Sequence, residues 1–174
     1  MERRLVIKQV LIMAGGLALL PSCLRDEGKS SIRLTNLEVS LDEENLLAEI
    51  AETIIPRTKT PGARELKLHL FILKMLDDCY EKTDQQAFIN GLQEFKELTS
   101  EQYGKSFGKL SAHQRESTLS KLENNPSPDL SAFYKITKAK TIDGYLNSQY
   151  VMTKLIIYEL VPGRYNGYFP VKTA

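Results

Sequence analysis

The stretch that most limits what this chain can fold into is Ile54-Ile55-Pro56-Arg57-Thr58-Lys59-Thr60-Pro61-Gly62-Ala63. An amphipathic pattern runs into it and a longer apolar pattern runs out. No continuous helix can pass through. Pro56 lacks a backbone donor and disfavours α geometry at Ile55. Pro61 reads differently. Proline suits the first position of a helix, where its missing N–H would be unpaired anyway, and Thr60 before it is a good N-cap. The decapeptide therefore predicts a helix stop, an ordered turn and a helix start, with Arg57 and Lys59 held in the turn.

Upstream, Ser40 and Glu43 stand at capping-box spacing. They open a helix with Leu46, Leu47, Ile50 and Ile54 on one face. Residues 24–41 read as a polar tether, with Ile32, Leu34, Leu37 and Val39 hinting at an extended piece lying on the body. Downstream, the pattern predicts a helix from Pro61 to about Lys82. Its stripe of Leu66, Leu70, Leu73 and Leu76, widened by neighbours, marks the central helix of a bundle. Asp84 is read as the cap of a third helix to about Leu98. Phe107 and Leu110 then anchor a connection. Ser111 and Gln114 repeat the capping box for a helix to about Glu123, with Leu119 and Leu122 buried. Ser127-Pro128 repeats the Thr60-Pro61 wording and opens a helix expected to bend or end near Gly144-Tyr145. Ser148 caps a last short helix through Leu155. The tail is aromatic and turn-rich: six of the eight tyrosines fall between Tyr134 and Tyr168. Strand signals are weak. The expected class is all-α, a single bundle of about five to six helices with an irregular aromatic C-terminal tail.

The N-terminus reads as a signal. Arg3-Arg4 is followed by apolar residues, Lys8 and the 11-residue apolar run Val10 to Leu20. That run has the length of a signal-peptide core and is too short to span a bilayer. The paired arginines in this setting match a twin-arginine export signal, a route for proteins already folded. Leu20-Pro21-Ser22-Cys23 resembles a bacterial lipobox, which makes Cys23 the expected lipidation site and the first residue after processing. The expected divisions are residues 1–22 as signal peptide, 23–41 as tether and 42–174 as helical domain. The expected location is the periplasmic side of a bacterial membrane, held by the lipid. The net charge of +1 offers no basic excess for nucleic acid.

A search of the sequence for catalytic means finds none. Gly104-Lys105-Ser106 lacks the second glycine of a phosphate loop, because position 99 is Thr99. No serine-elbow, haem-attachment or zinc-protease motif is present. Asp77 and Asp78 are helix neighbours that cannot converge on one atom. Glu49 and Glu52 read as a solvated polar face. His69 and His113 are far apart with no flanking nucleophile; His69 is expected to be half-buried with one partner, and His113 exposed. Cys79 reads either as a buried small residue or as a thiol that meets another chain. The residues alone thus indicate an exported, membrane-tethered helical domain that acts by binding. A stand-alone periplasmic or surface lipoprotein serving as a binding module is the alternative.

The residues Ile54 to Ala63, following a leucine-rich helix, resemble the gluconate 2-dehydrogenase subunit 3 family. The likeness continues at Phe133-Tyr134, at Gly144-Tyr145 with Ser148, and at Tyr158 with Val161-Pro162-Gly163-Arg164-Tyr165-Asn166-Gly167. It spans roughly residues 42 to 171. Lys59 departs from the acidic residue common in the family at that place. The resemblance implies a non-catalytic small subunit, and export escort, of a membrane-associated sugar or sugar-acid dehydrogenase. In such complexes FAD and the chemistry belong to a large glucose–methanol–choline-type subunit, and a cytochrome c commonly takes the electrons. This chain is then expected to carry no cofactor or metal of its own. Its expected partner-binding residues are Pro56, Arg57, Thr58, Pro61, Gly62, Tyr145, Pro162, Arg164, Tyr165 and Tyr168, since rigid turns there present arginine and tyrosine.

Overall fold

The computed structural model describes residues 28–123, 125–156, 158, 163, 167, 168 and 170. These form an all-α bundle. Its helices are α1 (Leu41–Ile54), α2 (Leu68–Cys79), α3 (Lys82–Tyr103), α4 (Ala112–Leu122) and α5 (Pro128–Leu146). A 3₁₀ turn, Phe107–Lys109, lies between α3 and α4, and a π-helical turn, Val151–Leu155, follows α5. The only β element among the described residues is an isolated bridge between Lys29 and Ser40.

Several starts follow the sequence. Ser40 accepts from the Glu43 amide while the Glu43 carboxylate accepts from the Ser40 amide, and Ser111 and Gln114 do the same at α4. Such reciprocal pairs satisfy amides that a helix leaves without internal partners. Ser127 accepts from the Leu130 amide with Pro128 at the first helical position. Ser148 Oγ accepts from the Val151 amide at 3.3 Å, ahead of the π turn.

Other starts and stops differ. α2 begins at Leu68, not Pro61, and its N-cap is Lys67 in the left-handed region at φ 54°. Thr60 caps nothing; its hydroxyl faces that of Thr58 at 3.3 Å. α3 has Glu81 at its N-cap position with no side-chain capping bond, and Asp84 lies inside the first turn where it suits the helix dipole. It runs past Leu98 to Tyr103 and stops at Gly104, left-handed at φ 61°. α5, by contrast, ends where expected, passing through Gly144 and stopping at Leu146, one residue past Tyr145. A side chain on Gly144 would meet Phe71 Cδ1 at 2.8 Å and Leu68 Cδ2 at 3.4 Å, so this glycine serves close packing of α5 on α2.

The hub is α5 rather than the leucine-striped α2. α5 packs on α1, α2, α3, α4 and the π turn. Its Phe133 meets Phe88 edge-on at 5.0 Å between centroids and Phe95 at 5.8 Å, and Phe95 meets Phe107 at 5.1 Å. These rings are fully buried and join the 3₁₀ turn to the α3–α5 pair. Gly91 lets α3 reach the α5 backbone, because a Cβ there would collide with the Asp129 carbonyl. Leu37 and Val39 are buried in the same core cluster, with Ile32 and Leu34 packed against it. The segment lies on the body as expected, but as a bent loop closed by the Lys29–Ser40 bridge and not as an extended piece, and the packed unit starts well before residue 42.

Candidate functional site

The turn between α1 and α2 is built from its amides upward. Ile55 ends α1 by donating to Ala51 O at 2.9 Å. Beyond Pro56, the amides need acceptors that no helix supplies. Glu52, on the last full turn of α1, supplies two. Its Oε1 accepts from the Arg57 amide at 2.9 Å and its Oε2 from the Arg64 amide at 2.8 Å. Ala63 N donates back to Ile55 O at 2.9 Å and Leu68 N to Ala63 O at 2.9 Å. Thr58 N donates to Thr60 O at 3.0 Å and closes the tip.

Gly62 is buried in the middle of this loop. A Cβ on it would lie 2.5 Å from Glu52 Oε1 and 2.6 Å from the Arg57 amide nitrogen. The loop can close over the carboxylate only because position 62 has no side chain.

Glu49, one turn earlier on α1, fixes the loop from the side. Its Oε1 accepts from Arg64 Nη1 at 2.6 Å and its Oε2 from Arg115 Nη1 on α4 at 2.9 Å. Glu49 and Glu52 are therefore not a solvated face. Their partners sit 15, 66, 5 and 12 residues away in sequence, beyond the reach of spacing arguments.

What the tip presents outward is Pro56, Arg57, Thr58 and Lys59, all exposed, while Pro61 is half-buried. The Arg57 side chain is 75% exposed, with Nε 3.6 Å from Glu65 Oε2. Tyr145 is half-buried against the core cluster. Its neighbour Gly144 rests on Leu68 and Phe71 in the first turn of α2, directly after the clamped loop. Tyr168 is 97% exposed. Pro162, Arg164 and Tyr165 lie outside the described residues, as do Arg3, Arg4 and Cys23. The structure thus joins Pro56, Arg57, Thr58, Pro61 and Gly62 in one ordered loop and sets Tyr145 beside the helix that leaves it. Sequence reasoning missed the exposed apolar residues Ile142, Leu146, Leu155, Ile156 and Tyr158. Ile142 and Leu146 lie on α5 and Leu155 closes the π turn, while Ile156 and Tyr158 follow it.

His69 is half-buried, with Nε2 3.9 Å from Glu44 Oε1 and Nδ1 buried without a partner. Burial pushes its pKa down from the ordinary 6.5, against the pull of Glu44 and with the help of Arg64 and Lys67. Glu44 is already engaged by the Ser31 amide and hydroxyl, at 2.6 and 2.7 Å. His113 is exposed. Cys79 is exposed rather than buried, because it closes α2 where the chain turns away toward α3. Among the described residues no group of three or more His, Cys, Asp or Glu is arranged to hold a metal ion. No helix among them is long and apolar enough to cross a membrane.

Comparison with known proteins finds one family model, described as gluconate 2-dehydrogenase subunit 3, which matches residues 41–163. The matched span opens at the first residue of α1 and includes the clamped turn, α5 and the π turn. Searches of curated proteins and of solved structures give no match.

Proposed function

The chain belongs to the gluconate 2-dehydrogenase subunit 3 family, and from that premise we propose that it is the non-catalytic accessory subunit and export escort of a periplasmic dehydrogenase. The large partner is a glucose–methanol–choline-type flavoprotein that holds FAD and oxidises a sugar or sugar acid. A cytochrome c receives the electrons. Arg3-Arg4 directs the folded pair through the twin-arginine route, and a lipid on Cys23 keeps it at the membrane.

The observation that carries this reading is the family match across nearly the whole helical domain. The side chains support the non-catalytic part. Glu49, Glu52, Glu44 and Asp77 each accept bonds from backbone or basic groups of this same chain. Each of these carboxylates thus has a structural role within the chain.

Purification of the native chain from membranes in mild detergent tests this reading. The expected result is co-elution with a large subunit showing flavin absorbance and dye-linked dehydrogenase activity. Replacing Arg3 and Arg4 by lysine should leave both chains in the cytoplasm. A chain that elutes alone, with the dehydrogenase activity elsewhere, overturns the subunit reading.

A further inference from the structure

Residues 28–40, read from the sequence as tether with an extended piece lying on the body, form a closed loop fixed to two helices. The loop's ends meet: Ser30 N donates to Val39 O at 3.0 Å, and Leu41 N to Gly28 O at 2.9 Å. Between those ends two carboxylates hold the backbone. Glu44 of α1 accepts from Ser31 N and Oγ. Asp77 of α2, with a fully buried side chain, accepts from the amides of Thr35 at 2.8 Å, Asn36 at 2.6 Å and Leu37 at 3.0 Å. Asn36 Nδ2 donates back to the Asp77 carbonyl at 2.8 Å. Leu37 and Val39 plug the loop into the core.

The clamp changes how far the body can travel from whatever holds Cys23. A free segment from Cys23 to Leu41 would reach about 60 Å when extended and average about 24 Å as a flexible coil. With Gly28 bonded to Leu41, only five peptide links separate Cys23 from the packed body, a reach of about 18 Å at most. We propose that residues 28–40 are a mount: they hold this side of the domain, around the start of α1, against the bilayer surface. The partner of the loop's outer face is the lipid headgroup layer. This rests on the lipid anchor at Cys23 put forward above. It adds that the anchor fixes an orientation instead of leaving the domain to swing.

The test uses the full lipidated chain inserted from outside into preformed phosphatidylethanolamine–phosphatidylglycerol vesicles. A fluorophore is placed by Glu38→Cys, an exposed loop position, in a Cys79→Ser background, and headgroup-nitroxide lipids serve as quencher. The comparison chain carries twenty Gly/Ser residues inserted after Glu27, which lengthens the link and leaves the loop intact. Intact mass reports acylation of Cys23. Strong quenching in the parent, falling at least threefold in the lengthened chain, is the expected result. Acylated Cys23 with weak quenching, or with equal quenching in both chains, overturns the mount and leaves the anchor standing. An unacylated Cys23 overturns the anchor, and the mount with it.

Discussion

Asp77 and Glu52 perform the same task for two irregular segments: each reaches out of a helix and accepts amide protons from a loop that no ladder could satisfy. Asp77 holds residues 35–37 and Glu52 holds the turn after α1. They differ in water. The Asp77 side chain is fully buried, whereas Glu52 is half-exposed and its hydrogen bonds are exposed. A carboxylate in a dry site gains more from each amide, and its loss leaves donors stranded. The loop of residues 28–40, a strap across α1 and α2, is therefore an integral part of the core, although it precedes the first helix. The turn is a surface feature held in shape.

The largest effect should come from removing the buried acceptor. Asp77→Ala leaves the three strap amides without a partner and should cost about 3 kcal/mol, lowering the melting temperature by about 10 °C. Amide exchange at Thr35, Asn36 and Leu37 should accelerate before any helix opens. The pH dependence has a definite sign. Burial raises the Asp77 pKa, but the amides of Thr35, Asn36 and Leu37, with Lys74, outweigh it, so the net shift is downward from 3.8. A depressed folded pKa means that the stability is fully present above 3.8 and is lost as pH falls through the folded value. Strap protection that disappears at pH 5 would contradict this.

Next in size is a comparison of two glycines. At Gly62 an added methyl meets the Arg57 backbone nitrogen at 2.6 Å, which cannot retreat without opening the turn. Gly62→Ala should cost about 2 kcal/mol through overpacking. At Gly144 the nearest atoms belong to the ring of Phe71, itself 36% exposed and able to move. Alanine also gains up to about 1 kcal/mol of helix propensity there. Gly144→Ala should be close to neutral in thermal denaturation. Equal losses at both sites would show that the turn is no tighter than an ordinary helix contact.

The same comparison shows what was legible in the chain. Ser40-Glu43, Ser111-Gln114 and Ser127-Pro128 foretold three helix starts because every partner lies within four residues. Thr60-Pro61 has the wording of Ser127-Pro128 and failed. There the competing acceptors are distant: Glu52 takes the Arg64 amide and Ile55 O takes the Ala63 amide. Residues 62–67 then form a mixed turn, with Leu66 N on Gly62 O, Lys67 N on Arg64 O and Leu68 N on Ala63 O, and the regular helix starts only past left-handed Lys67. Asp77 was invisible for the same reason, since its donors lie 40 to 42 residues upstream. The bundle was readable from its local apolar periods. The carboxylate clamps that shape the candidate site belong to tertiary structure, and a single sequence does not display them.

A smaller effect is expected at Glu52 itself. Glu52→Ala removes two exposed amide bonds that water can replace, at about 1 kcal/mol. Glu52→Gln keeps an acceptor and should lose less. Both can be read by urea denaturation, and a loss rivalling that of Asp77→Ala would erase the distinction between strap and turn.

The smallest effect on stability should be that of Arg57→Ala. The side chain is 75% exposed and meets Glu65 at 3.6 Å, itself 54% exposed. Such pairs contribute on the order of 0.5 kcal/mol or less. The backbone of Arg57 is another matter, because its amide is one of the two donors to Glu52, and alanine retains that amide. The substitution therefore separates the shape of the turn from what the turn displays. If the turn exists to present a side chain to the large subunit, Arg57→Ala should weaken co-purification at least tenfold, as expected for a central arginine, with the melting temperature nearly unchanged. Retained partner binding together with a fall of several degrees would make Arg57 an internal strut and move the interface to another face of the bundle.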